Sequence, residues 1–164
     1  ATARNRDVVI EHPNRDKASS KATKATVILL LLASVALILI VTIGGWEALE
    51  GAKPVQIAYM VIYLVMAYYV AKWNRGVLPV IAALAIILAI FAAVATPEWF
   101  DRTKDGFTSP ALDENILGTI TAILVPLQIL LIAFAMRGFA QAWNVEVERR
   151  VDGAGVGASA PSPA

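Results

Sequence analysis

The sequence predicts an all-α fold, a four-span transmembrane helical bundle with flexible polar termini. Four apolar runs, 25–45, 55–71, 77–96 and 116–136, fill about half of the 164 residues. None of them contains Asp, Glu, Lys, Arg, His or Cys. Composition agrees, since 58% of residues are hydrophobic against about 45–50% in soluble domains.

The first 24 residues are a polar tail. Arg4, Arg6, Asp7, Glu11, Arg15, Asp16 and Lys17 alternate with Asn, Ser and Thr, which is too polar to build a core. This tail is expected to be flexible alone, or ordered only against a partner. Basic residues before an apolar run resemble the head of a signal peptide, but the run is too long and lacks a small-residue cleavage site. It is therefore expected to remain as an uncleaved span.

The runs hold 21, 17, 20 and 21 residues, close to the roughly 20 needed to cross a hydrocarbon core of about 30 Å. The first has 13 Val, Leu or Ile between Val27 and Ile43, worth at most about 4–8 kcal/mol of insertion. The second is short, with Lys53, Lys72 and Trp73 available to anchor its two ends. It carries Tyr59 and Tyr63 one turn apart, and Tyr68 and Tyr69 beyond them. Packing and interface anchoring account for these tyrosines more simply than contact with lipid or quinone. A quinone pocket needs convergent polar groups, and the spans hold neither His nor a carboxylate.

The second and third runs are expected to form a hairpin across Lys72-Trp73-Asn74-Arg75-Gly76, with Pro79 tolerated in the first helical turn. In the third run Ala85, Ala89 and Ala93 make a four-residue small-side-chain row, a pattern that lets helices approach closely. The fourth contains Thr119, Thr121, Pro126 and Gln128. Pro126 removes a backbone hydrogen bond, and Gln128 needs a partner inside the bilayer. Pro126 and Gln128 are thus packing candidates alongside the alanines.

The two longer loops between spans, on the side opposite the 72–76 connection, are 46–54 and 97–115. Trp46, Trp99, Phe100 and Phe107 in these loops are candidates for interface or partner contact. Five carboxylates in the longer loop lack the spacing and central Gly of a calcium loop. Residues 137–150 are expected to extend the last helix, placing Phe139 and Trp143 at i and i+4 near the membrane surface. Residues 151–164, rich in Gly, Ala, Ser and Pro, read as a disordered tail.

Lys and Arg number six in the first tail, two in the 72–76 connection and three after residue 136, against Lys53, Arg102 and Lys104 in the other loops. The positive-inside rule then places both termini in the cytoplasm.

Pumps, voltage sensors and proton-coupled transporters usually carry an ionisable residue at membrane depth. The spans have none, and they offer no His or Cys ligand for haem or an iron–sulfur cluster. Nucleotide loops, zinc motifs and nucleophile elbows are absent. No catalytic, cofactor-binding or metal-ligating residue is assigned, and no nucleic-acid partner is expected. What remains is contact chemistry, with other integral membrane subunits and lipids as partners. The alternatives are a small solute transporter or channel, which would need a polar stripe along one helix, and a transient membrane assembly factor.

The run Ala133-Phe134-Ala135-Met136-Arg137-Gly138-Phe139, with Trp143-Asn144-Val145-Glu146 after it and Trp99-Phe100-Asp101 before it, resembles small multi-pass membrane proteins of actinobacteria. Some proteins of this kind are accessory subunits of the mycobacterial cytochrome bcc and cytochrome c oxidase supercomplex. The resemblance covers chiefly residues 97–150. It implies a structural role in respiration, with haem and copper in partner subunits and no cofactor in this chain.

Overall fold

The computed structural model describes residues 8–102 and 110–150. Four long helices dominate: α2 (Ala18–Gly44), α3 (Lys53–Ala71), α4 (Leu78–Asp101) and α5 (Glu114–Ala140). A short strand β1 (Val8–Glu11) and a single turn α1 (Pro13–Asp16) precede them, and β2 (Val147–Arg150) follows. A 3-10 turn, Arg75–Val77, leads into α4. All four long helices are apolar and long enough to cross a membrane. Leu29, Val61, Ile90 and Ile129 are each more than half exposed on their outward faces, surface that suits lipid rather than water.

The buried seams follow a seven-residue repeat. On α2 it runs through Ser20, Val27, Ser34 and Val41, on α4 through Leu78, Ala85, Ala92 and Trp99, and on α5 through Leu117, Leu124, Leu131 and Gly138. A seven-residue step drifts only about 20° around an α-helix, so one face stays inward along the full length. The α4–α5 interface is the most extensive, and small side chains explain it. Ala82, Ala85 and Ala92 on α4 and Gly118, Ala135 and Gly138 on α5 are all buried, and small side chains permit close backbone approach. A Cβ on Gly118 would come within 2.9 Å of the Phe100 ring.

Helix α2 packs on both α3 and α5, whereas α3 and α4 make little direct contact. The expected hairpin of sequence neighbours is therefore open, and the bundle has a seam between them. Tyr59 bridges it by donating its hydroxyl to the Leu84 carbonyl at 3.1 Å. Trp73, at φ 62°, ends α3 in a Schellman arrangement: its N–H reaches the Val70 carbonyl at 2.9 Å, and that of Asn74 reaches Tyr69 at 3.0 Å.

Four expectations are corrected. The first helix begins at Ala18 rather than 25, because Ser20 and Thr23 are buried in its seam. Helix α4 runs through Pro97 to Asp101, so residues 97–101 are helical rather than loop. Pro97 is exposed, and Trp99, only 5% exposed, pins the last turn against Val41, Ala48, Leu49 and Leu117. Helix α5 stops at Ala140 instead of continuing to residue 150. Ala142, at φ 50°, turns the chain back. Finally, residues 8–24 are ordered against the C-terminal segment of the same chain: β1 pairs antiparallel with β2 in the register Val8↔Arg150 to Glu11↔Val147. Residues 151–164, read from sequence as disordered, and 1–7 lie outside the described residues.

Candidate functional site

Three places concentrate side-chain chemistry. The first is a polar relay in the bundle centre. Gln128 on α5 is fully buried; its Oε1 accepts from the Tyr63 hydroxyl at 2.7 Å and its Nε2 donates to Ser34 Oγ at 2.9 Å. Ser34 in turn donates to the Leu30 carbonyl at 2.7 Å. Three helices are thereby tied at one level, and the amide oxygen and nitrogen of Gln128 are each satisfied. The rings of Tyr59 and Tyr63 meet edge to face with centroids 5.6 Å apart.

The second is a cleft in the seam between α3 and α4, toward the end of the bundle where the α2–α3 connection lies. Its volume is about 460 Å³, and it is open on one side. Val55 and Tyr59 line it from α3, and Leu88, Phe91, Ala92, Ala95 and Trp99 from α4. Two of its polar side chains are engaged: Gln56 Oε1 accepts from Thr42 Oγ1 at 2.5 Å, and Thr121 donates to the Leu117 carbonyl at 2.7 Å. Glu50, Glu98 and Arg102 stand at the mouth. Arg102 Nη2 donates to the Ala48 carbonyl at 3.2 Å.

The third is a clasp at the opposite end, where segments 8–24 and 141–150 meet. Trp143 is fully buried, packed edge to face on Trp73 at 5.1 Å, with Nε1 donating to Gln141 Oε1 at 3.1 Å. Arg15 Nε donates to the Trp143 carbonyl at 2.9 Å and Asn14 Nδ2 to the Ala142 carbonyl at 3.0 Å. Gln141 Nε2 reaches Thr23 Oγ1 at 3.1 Å, and Lys24 Nζ sits 4.1 Å from the Trp73 ring centroid. Arg75 donates to the Phe139 carbonyl at 2.7 Å while its guanidinium lies 3.8 Å from that ring. His12 contacts Glu146 at 3.1 Å, and Arg149 pairs with Glu11 at 3.2 Å.

The predicted packing residues divide. Ala85 and Gln128 are buried, Ala89 is half-buried, and Ala93 and Pro126 are exposed. A four-residue step advances about 40° beyond a full turn at 3.6 residues per turn, so Ala93 has rotated about 80° off the seam. Ala92, one heptad from Ala85, takes its place. Pro126 lies on the outward face of an unbroken helix, and Thr119 is exposed while Thr121 is buried. No single polar face runs along α5.

The predicted contact residues also divide. Trp46 is 46% exposed, with Lys53 Nζ 4.5 Å from its ring centroid, and Phe100 is partly exposed beside Gly118. Trp99 and Trp143 are buried, and Phe139 is half-buried under Arg75. Internal packing claims those three rings before any partner could. Phe107 lies outside the described residues. Sequence reasoning missed Ser34 and Thr42, single polar residues in an apolar helix, and the spacing of seven between Ser20, Val27, Ser34 and Val41 was the available signal. No protein family, curated protein or solved structure matches this chain.

Proposed function

We propose that this chain is a non-catalytic accessory subunit of a larger membrane assembly, held to its partner through the ribbon formed by β1 and β2. The observation that carries this reading is the ribbon's surface. Val9, Ile10 and Val147 are each about half exposed at the end of the bundle where segments 8–24 and 141–150 meet, beyond the apolar spans. Each strand pairs with the other alone among the described residues, which leaves an outer edge on both sides. Isolated two-stranded ribbons are marginal in water, and open edges are natural sites for strand addition by a partner. The clasp beneath gives the ribbon a rigid base.

The bundle interior supports the same reading. The polar groups at its centre bond one another, and in the cleft Gln56 Oε1 and Thr121 are engaged too, which favours contact over a hydrated route. The basic residues assign the ribbon to the cytoplasmic side of a bacterial plasma membrane. Membership of an actinobacterial cytochrome bcc and cytochrome c oxidase supercomplex rests on the resemblance of residues 97–150, with haem and copper supplied by partner subunits.

Purification of a tagged full-length chain in mild detergent is the test. It should bring down larger integral membrane subunits, be colourless by itself, and lose those subunits when Val9 and Val147 are both replaced by Asp while the bundle's melting is unchanged. Deletion should lower the yield of the parent complex more than its intrinsic turnover. Purification as a lone oligomer that conducts a solute in liposomes would overturn the proposal.

A further inference from the structure

The cleft between α3 and α4 has the length and polarity of a seat for one hydrocarbon chain. We propose that it binds the acyl chain of a bilayer phospholipid, entering from the membrane level of the α2–α3 connection with the headgroup at Glu50, Glu98 and Arg102. Along α4 the lining extends from Leu88 to Arg102, about 21 Å at 1.5 Å rise per residue. Apart from Gln56 and Thr121, the wall short of the mouth is apolar, which suits an extended hydrocarbon chain lying along the helix.

Polarity is graded along the cleft in the same sense as in a lipid. The deep part is Tyr59, Leu88, Ala92 and Leu124, and the Tyr59 hydroxyl is turned away to Leu84. The engaged oxygens of Gln56 and Thr121 leave hydrocarbon contact as the chief interaction on offer. The mouth, by contrast, presents two carboxylates and a guanidinium, groups that belong at headgroup level. Val55, Phe91 and Val94 on the rim are exposed, so a chain can slide in sideways from the bilayer.

The test is photolabelling of the full-length chain in phosphatidylcholine vesicles doped with phosphatidylcholine carrying a diazirine on one acyl chain. Adducts are mapped by peptide mass spectrometry. The proposal expects labelling of Leu88, Ala92 and Leu124, which the helices bury from the surrounding bilayer, at least as strong as labelling of outward Ile90 and Val61. Ala95→Phe, which narrows the bore at a half-buried position, should reduce the cleft adducts at least fivefold and leave those on Ile90 unchanged. If Ala95→Phe fails to fold, the wild-type map alone decides. Labels confined to outward residues would overturn the proposal, as would stronger cleft labelling by a diazirine-bearing polyprenyl chain under the same conditions.

Discussion

Tyr63 and Gln128, 65 positions apart in sequence, meet at the centre of the bundle, where the tyrosine hydroxyl donates to the amide oxygen across 2.7 Å. Both side chains are fully buried. Ser34 completes the relay from a third helix. Hydrogen bonds between membrane helices average about 0.6 kcal/mol and reach about 1.7 kcal/mol, so Tyr63→Phe should destabilise the chain by that order. A double-mutant cycle of Tyr63→Phe with Gln128→Leu, followed by unfolding in mixed micelles, should return a favourable coupling in the same range. Strict additivity of the two substitutions would show that the bond contributes nothing.

Helix α4 offers a comparison between two alanines. Ala85→Leu forces a larger side chain into the α4–α5 seam and should cost about 1–3 kcal/mol. Ala93→Leu, on the exposed face, should stay within about 0.5 kcal/mol of the parent. Equal effects at the two positions in a thermal melt would contradict the heptad seam.

The terminal clasp depends on Trp143. Trp143→Ala removes a fully buried ring and should cost about 3–5 kcal/mol. Amide exchange in Val8–Glu11 should accelerate in the same variant, since Arg15 and Asn14 hold this segment through the backbone around Trp143. Slow exchange persisting in β1 would mean the ribbon stands without the clasp.

Ala142 occupies the left-handed region at φ 50°, which costs an L-residue about 1–2 kcal/mol. Glycine avoids that strain but loses about 0.5–1 kcal/mol of chain entropy on folding. Ala142→Gly should therefore raise the midpoint of unfolding slightly. Trp73→Gly, at φ 62°, should lower it, because the ring packed on Trp143 and under Lys24 is lost. A destabilised Ala142→Gly variant would show that the methyl group, not the backbone, matters there.

Sidedness is a single choice once β1 pairs with β2, because residues 8 and 150 must then share one side of the membrane. Cysteine at Ser19 or Arg150, both exposed, should resist an impermeant label in intact cells, while cysteine at Glu47 reacts. Ser20 is unsuitable for this assay, being 1% exposed with its hydroxyl unpartnered among the described residues. The reverse labelling pattern would invert the topology.

The four long helices were legible because uninterrupted apolar length is a local property: each run declares itself without reference to any other. The need of Gln128 for a partner was legible for the same reason, since an amide in an apolar span carries its own penalty. Which groups answered it was not. Tyr63 and Ser34 are ordinary residues until three helix faces converge, and that convergence depends on side-chain volume along the seams. The small-residue row was read at a spacing of four, which fits neighbouring turns, when the helices used seven, which keeps one face inward over the whole span.

Sequence alone therefore determined the number of long helices, their apolar character and the absence of ionisable groups within the runs. Tertiary structure decided the order of the helices in space, the open seam that forms the cleft, and the end of α5 at Ala140. It also joined the two polar ends. Each looks too polar to fold when read alone, yet together they share backbone hydrogen bonds and a buried tryptophan, a stabilisation that exists only when residues 128 or more positions apart are brought side by side.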